Sequence, residues 1–75
     1  MRRVMNVGRA IRMCRNEHGV SQGDVACRAN CSVSYLSMLE NNKRDPTLST
    51  ITKIAQALQV PVGLLFLLAS EKAEL

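Results

Sequence analysis

Residues 21–43, SQGDVACRANCSVSYLSMLENNK, predict two short helices joined by a tight turn. Ser21 and Ser32 are suited to cap these helices, because a serine oxygen can accept hydrogen bonds from the unpaired amides of a first helical turn. Asn30 lies in the turn and tolerates the left-handed backbone conformation that such a reversal uses. Apolar residues recur at helical spacing in both segments and predict their buried faces: Val25, Ala26, Ala29, Leu36 and Leu39.

Three more helices are predicted around this pair, over residues 6–18, 48–59 and 61–70. Gly19 is placed to end the first, and Thr47 to cap the helix that begins at Leu48. Asn42 can take a left-handed conformation where the helix before it ends. The predicted apolar stripes are Val7, Ile11 and Cys14 in the first helix, and Leu48, Ile51, Ile54, Ala55 and Leu58 in the fourth.

No stretch of the sequence alternates as a β-strand would, so we predict an all-α fold with one domain over residues 1–75. Its core is expected over about residues 6–70, with residues 71–75 as a frayed tail. The chain is 47% hydrophobic with one Tyr, one Phe and no Trp, which is typical of a small bundle packed with aliphatic side chains. A chain of this length buries a small core, and oligomerisation is a natural source of extra stability.

The cysteine count and the apolar runs favour a soluble protein of the cytoplasm. Three cysteines are an odd number, and no apolar segment of signal-peptide length follows the basic start of the chain. The longest apolar run, residues 60–69, contains Pro61 and Gly63 and is shorter than the roughly 20 residues of a membrane span. We therefore expect no contact with a membrane.

The formal net charge is +4, and the positive residues are unevenly placed. They cluster near the first helix and after the third: Arg2, Arg3, Arg9, Arg12, Arg15, Lys43 and Arg44. Such clusters suit a surface that binds a polyanion, because each neutralised phosphate releases counterions. A surface that is basic only for solubility explains the charge equally well.

The same residues carry a family resemblance. The chain resembles the Cro-type, lambda-repressor-like (xenobiotic-response-element family) helix-turn-helix DNA-binding domains over about residues 6–69. The matching residues, in order, are Ser21-Gln22, Val25-Ala26, Ser32 to Leu36, Leu39-Glu40-Asn41, Lys43 to Leu48 and Ile54 to Leu58. The resemblance implies a five-helix bundle whose second and third helices form the motif, and a regulator that binds double-stranded DNA without a cofactor.

The second helix of the motif is expected to enter the major groove with its N-terminal part. Since Leu36 and Leu39 face the core, the opposite face offers Val33, Ser34, Ser37 and Met38 as base-reading residues. Val33 and Met38 are apolar where relatives often carry glutamine, so they can meet thymine methyl groups but cannot form bidentate hydrogen bonds. For Val33, simple packing against the preceding helix is the alternative.

Further roles follow from the resemblance. Contacts to the DNA backbone are expected from Gln22, Ser32, Tyr35, Asn41, Lys43 and Arg44. Gln22 is also expected to brace the reading helix. Arg15 and Glu40 match a structural ion pair that ties the first helix to the end of the third, and such a pair orients an element more than it stabilises the fold.

The cysteines and the histidine raise an alternative use of the chain. Cys14 and His18, and likewise Cys27 and Cys31, are spaced by four and could supply soft metal ligands or redox-sensitive thiols. Cys14 lies on the predicted buried stripe whereas Cys27 is expected to face solvent, so the four are not expected to converge. We predict no metal site and treat these thiols as small hydrophobic or surface groups.

The fifth helix is apolar nearly all round. By the resemblance, Leu65 and Phe66 occupy core positions, which leaves Leu64, Leu67 and Leu68 to be exposed in a monomer. An exposed apolar patch of this kind marks an interface, here that of a homodimer. The alternative is that the short tail after Ser70 covers it.

We thus predict a regulator, expected to be a repressor, that acts as a homodimer on a near-palindromic operator. Nothing in the sequence pairs a nucleophile with a base or places two carboxylates together, so no enzyme activity is expected. Two alternatives use the same fold. One is an antitoxin, with a small protein partner, or a restriction-modification controller acting on its own promoter; the other is a protein-interaction module that binds little DNA.

Overall fold

The computed structural model describes residues 6–70. This part of the chain forms five α-helices and no strand: α1 Val7–His18, α2 Gln22–Arg28, α3 Val33–Glu40, α4 Leu48–Leu58 and α5 Val62–Ser70. The all-α prediction is confirmed. Arg2, Arg3 and the predicted tail, residues 71–75, lie outside the described residues.

Local side-chain chemistry starts the first four helices. Ser21, Ser32 and Thr47 precede α2, α3 and α4 as predicted, and each side-chain oxygen accepts a hydrogen bond from the amide three residues later, at 3.0–3.1 Å. Asn6 does the same for α1, with its Oδ1 2.9 Å from the Arg9 amide nitrogen. These bonds satisfy donors that a helix leaves unpaired at its N-terminus.

Left-handed residues lie at the ends of three helices and in the turn of the motif. Gly19, Asn30 and Asn42 have φ angles of 66°, 59° and 60°, as their residue types predicted. Gln59, predicted as the last residue of α4, instead follows the helix with φ 60°. The Val60 amide then donates to the Ala55 carbonyl oxygen at 3.0 Å, which is the six-to-one bond of a left-handed helix end.

The core is formed by apolar side chains from all five helices. α1 packs mainly against α5 and also against α3 and α4, while α2 packs against α3 and α4. The predicted stripes of α2 and α3 are buried, and Leu36, Leu39 and Val25 are at most 1% exposed. Ala10, which was not predicted, is fully buried beside Ile11.

Three predicted core residues differ in the structure. Leu48 is 65% exposed, because it begins α4 in a turn that projects beyond the buried cluster, whose α4 members begin at Ile51. Val7 and Phe66 are only partly buried. In α5 the residue that shares the buried face with Leu65 is four positions on, and is therefore Ala69 rather than Phe66.

The predicted exposed patch of α5 is smaller than expected. Leu67 is 66% exposed, but Leu64 and Leu68 are half-buried against the core and do not stand free. Within residues 6–70 no single helix has the length and apolar character to cross a membrane; α4 and α5 would meet that test only jointly, as a pair bent by 109°.

Candidate nucleic-acid interface

The outward face of α3 carries all four predicted base-reading residues. Val33 is 47% exposed at the start of the helix, Ser34 is exposed, and Ser37 and Met38 are half-buried. Leu36 and Leu39 occupy the opposite side and lie in the core. At a rise of about 1.5 Å per residue, a helix of this length offers an edge of roughly 12 Å. One short helix edge thus presents two apolar and two hydroxyl side chains together.

Positive residues lie beside this edge. Lys43 and Arg44 are exposed in the segment between α3 and α4. The guanidinium carbon of Arg44 lies 5.5 Å from the centre of the half-buried Tyr35 ring, within the range of a cation–π contact. This contact fixes a positive group next to the first turn of α3.

Glu40, at the end of α3, is the centre of a buried polar cluster. It is 3% exposed, and its carboxylate receives two hydrogen bonds from Arg15, Nε to Oε2 at 2.8 Å and Nη2 to Oε1 at 3.1 Å. The amide nitrogen of Gln22 donates to Oε1 at 3.0 Å, and Arg12 Nε lies 3.8 Å from the same oxygen. The pKa of Arg15 is raised, chiefly because its guanidinium is hydrogen-bonded to this carboxylate.

This cluster joins three helices at one point. Arg15 belongs to α1, Gln22 to α2 and Glu40 to α3, and Arg15 Nη1 also donates to the Val20 carbonyl oxygen at 3.1 Å. A bidentate, largely buried pair restricts orientation, because the planar guanidinium accepts few arrangements. The exposed edge of α3 is therefore held at a defined angle to α1 and α2.

Polar side chains at both ends of α3 also form hydrogen bonds within the domain. The Asn41 side chain donates to the Ser37 carbonyl oxygen at 2.8 Å and accepts from Arg12 Nη2 at 2.8 Å. Ser32 Oγ is occupied by its cap to the Tyr35 amide. Contacts from Ser32 and Asn41 to the DNA backbone stay predictions. Within the domain, both side chains already form hydrogen bonds at the ends of α3.

Sequence reasoning missed the contacts that the first half of α1 makes with the end of α3. Gly8 is buried where α1 meets the end of α3: a β-carbon there would overlap the Leu39 carbonyl oxygen and lie 2.9 Å from the Glu40 carbonyl oxygen. Arg12, which entered only as part of a positive cluster, bonds both Asn41 and the Glu40 carbonyl oxygen, the latter at 3.3 Å. A glycine inside an otherwise helical pattern is a signal of close packing that the sequence offered.

The cysteines occupy three different environments. Cys14 is buried and Cys27 is exposed, as predicted, while Cys31 is half-buried in the turn before α3. Burial raises the pKa of both the Cys14 and the Cys31 thiols; nearby Glu17 adds to the first effect and Lys53 opposes the second. Among residues 6–70, no three His, Cys, Asp or Glu side chains gather as a metal site would require.

Comparison with known proteins gives consistent matches. A family model described as Helix-turn-helix matches residues 11–65. The immunity repressor protein of Bacillus phage phi105 is 36% identical over 74 residues, covering 93% of this chain and 51% of that protein. An uncharacterized HTH-type transcriptional regulator, y4dJ of Sinorhizobium fredii, is 43% identical over 54 residues, covering 72% of this chain and 70% of that protein. The chain thus spans about half the length of the phage repressor.

Two solved structures are similar along most of their length. The clp gene regulator ClgR from C. glutamicum superimposes with a TM-score of 0.88 at 25% identity, covering 95% of this chain and 92% of that chain. The restriction-modification controller protein C.AhdI from Aeromonas hydrophila gives a TM-score of 0.79 at 30% identity, covering 84% and 96%.

Proposed function

The chain belongs to the helix-turn-helix family, and from that premise we propose that it is a transcriptional regulator that binds duplex DNA with α3 in the major groove. The observation that carries the proposal is the asymmetry of α3. Its outward edge is accessible from Val33 to Met38, while Glu40 is locked to α1 and α2. A rigidly held helix with a free edge suits insertion into a groove.

Base contacts would come from the outward edge of α3. The methyl groups of Val33 and the thioether of Met38 suit thymine methyl groups, and the hydroxyls of Ser34 and Ser37 can donate to or accept from base edges. Because neither apolar residue forms a bidentate hydrogen bond, DNA shape would contribute strongly to sequence preference. From the methyl contacts we expect thymines within each half of the site.

Contacts to phosphates would position this edge. Lys43 and Arg44 lie beyond the end of α3, and the Tyr35 ring holds Arg44 near the start of the helix. Each phosphate they neutralise makes binding weaker as salt rises. Gln22, Ser32 and Asn41 can add hydrogen bonds to phosphate oxygens beyond those they make inside the domain.

We propose that the protein acts as a homodimer through α5. Leu67 supports this, since it is 66% exposed on a helix whose neighbouring Leu64 and Leu68 are half-buried. Two copies joined there would present two α3 helices to successive major grooves, about 34 Å apart, and would bind a near-palindromic site.

The dimer can be tested with a matched control, because a second leucine among residues 6–70 is almost equally exposed. Leu67→Lys should convert the dimer to a monomer in sedimentation equilibrium, while Leu48→Lys, at 65% exposure in the first turn of α4, should leave it dimeric. A wild-type mass that stays monomeric at all concentrations would refute the dimer.

DNA binding is tested by selecting duplexes from a random pool and measuring anisotropy with the winner and a scrambled control over a salt series. We expect a palindromic motif bound about 10³-fold or more above the control. Weak and equal binding to both duplexes that disappears with salt would contradict the proposal.

A second candidate within the same class is a controller that acts on its own promoter. The similarity to C.AhdI, a restriction-modification controller protein, favours it. If the selected motif lies immediately upstream of the gene for this chain, and the protein represses a reporter placed there, autoregulation is supported. A motif found only at distant promoters would oppose it.

A further inference from the structure

Asn6 touches the ends of two other helices. Its backbone amide donates to the carbonyl oxygen of Ala69, near the end of α5, at 2.9 Å. Its side-chain oxygen caps α1 through the Arg9 amide and also accepts from Nδ2 of Asn42, two residues beyond α3, at 3.0 Å. The start of α1 is thereby hydrogen-bonded to the end of the candidate dimer helix and to the end of the candidate reading helix.

This junction matters because α3 and α5 are connected mainly through α1. α3 packs against α1 and α2, whereas α5 packs against α1 and α4, and α3 with α5 is not among the substantial helix contacts. The angle between the two helices therefore depends on how each is attached to α1. The Glu40 cluster attaches α3 to the last turn of α1 through Arg15, and the Asn6–Asn42 bond attaches it a second time at the start of α1.

The backbone conformation of Asn42 does not require an asparagine. Its φ is 60°, which glycine adopts without strain, so the backbone does not use the asparagine side chain. The neighbouring Gly8 permits close approach, since a β-carbon there would lie 2.9 Å from Oδ1 of Asn42. The backbones of α1 and the end of α3 are thus close enough for the short Asn42 side chain to reach Asn6.

We propose that Asn6 and Asn42 are positioning residues that fix the angle between α3 and α5, and hence the separation of the two reading helices in the dimer. The inference rests on the proposed function, in which α5 forms the dimer and α3 enters the groove. Two attachment points along α1 prevent α3 from pivoting about the Glu40 cluster. The spacing of half-sites that the dimer accepts is then set partly by this one bond.

Three variants separate the bond from the local structure around it. Asn42→Gly keeps the left-handed backbone and removes the bond. Asn6→Ser keeps the cap of α1 with a side chain that is one atom shorter and does not reach Asn42. Asn6→Asp is the matched control, because its carboxylate oxygens can still accept from both the Arg9 amide and Asn42.

The readout is the affinity of each protein for three kinds of duplex. The first carries the selected motif with its own spacer between the two half-sites, the second has that spacer lengthened or shortened by one base pair, and the third is a single half-site measured at low salt. We expect Asn42→Gly and Asn6→Ser to bind the half-site as the wild type does, but to lose about two- to tenfold in preference for the selected spacer, the range for one neutral hydrogen bond. The double variant should lose no more than either single one, and Asn6→Asp should keep the wild-type preference.

Purely structural damage would lower half-site and full-site affinity together, in step with the melting temperature, and would overturn the proposal. So would an unchanged spacer preference in Asn42→Gly. Wild-type protein without any spacer preference would refute the dimeric regulator itself, whereas a wild-type preference that survives both substitutions refutes only the role of this bond.

Discussion

Replacing Gly8 by alanine should destabilise the domain, although the same change stabilises most helices. In an exposed helix interior, alanine is favoured over glycine by about 1 kcal/mol. At Gly8, however, the new β-carbon would overlap the carbonyl oxygen of Leu39 and lie 2.9 Å from that of Glu40. Both are backbone atoms, so no side chain can rotate away to make room.

The magnitude follows from how the clash must be relieved. α1 has to move away from the end of α3, which loosens packing at Ile11 and Leu39, both buried to 1% exposure or less. Overpacking of this kind costs about 3 kcal/mol at the upper end of its usual range. After the gain in helix propensity, we expect a net loss of about 2 kcal/mol. For a domain of this size that lowers the melting temperature by roughly 8–16 °C.

The assay is thermal and urea denaturation followed by circular dichroism, with two controls that carry the same change. A β-carbon at Gly63 meets nothing within 4 Å, and one at Gly23 meets only Ser21 Oγ at 3.7 Å. Gly63→Ala and Gly23→Ala should therefore be as stable as the wild type or more so. If Gly8→Ala is as stable as these controls, the close approach of α1 to α3 is wrong.

Three other predictions follow from the same structure. Glu40→Ala leaves Arg15 without its bidentate partner, so it should lower the free energy of unfolding by about 3 kcal/mol and weaken operator binding; unchanged melting temperature and affinity would sink the ion-pair role. An alkylating reagent at pH 8 should modify Cys27 before Cys31, because burial raises the pKa of the Cys31 thiol and lowers its thiolate fraction; peptide mass mapping with Cys31 first would contradict this. Arg44→Ala should reduce the slope of log affinity against log salt by about 0.9 for each half-site, and so by about 1.8 for the dimer on its full site; an unchanged slope would mean that Arg44 neutralises no phosphate.

The features that the sequence predicted well are those encoded by neighbouring residues. Ser21, Ser32 and Thr47 cap their helices because the amides of a first turn have no partner within the helix, and a hydroxyl just before them can accept their hydrogen bonds. Asn30 and Asn42 take left-handed conformations for the reason their residue type suggests. Periodicity likewise placed the buried sides of α2 and α3.

The features that the sequence missed depend on residues far apart in the chain. Asn6 and Asn42 are separated by 36 positions, and neither capping rules nor periodicity state that they meet. Leu48 continues the periodic stripe of α4 but is exposed. Periodicity indicates which side of a helix faces the core, but not how far along the helix the core extends. In α5 an almost uniformly apolar sequence has no stripe at all, so Leu65 was expected in the core only from the resemblance, and Ala69 could be identified only from the packing.

The C-terminal end of α3 is bonded to neighbouring helices more extensively than its N-terminal end, and these bonds control the orientation of the candidate interface. An isolated helix of eight residues is not stable in water, so the orientation of α3 comes from its attachments. Those attachments concentrate at its C-terminal end, where Arg12 and Arg15 hold Glu40 and where Gly8 admits the backbone. Apart from the Gln22 bond of α2, they belong to α1, outside the two helices of the motif, and Gly8 precedes the region matched by the family model, residues 11–65. Substitutions in α1 should therefore alter DNA recognition through the angle of α3, without any α1 side chain having to touch a base.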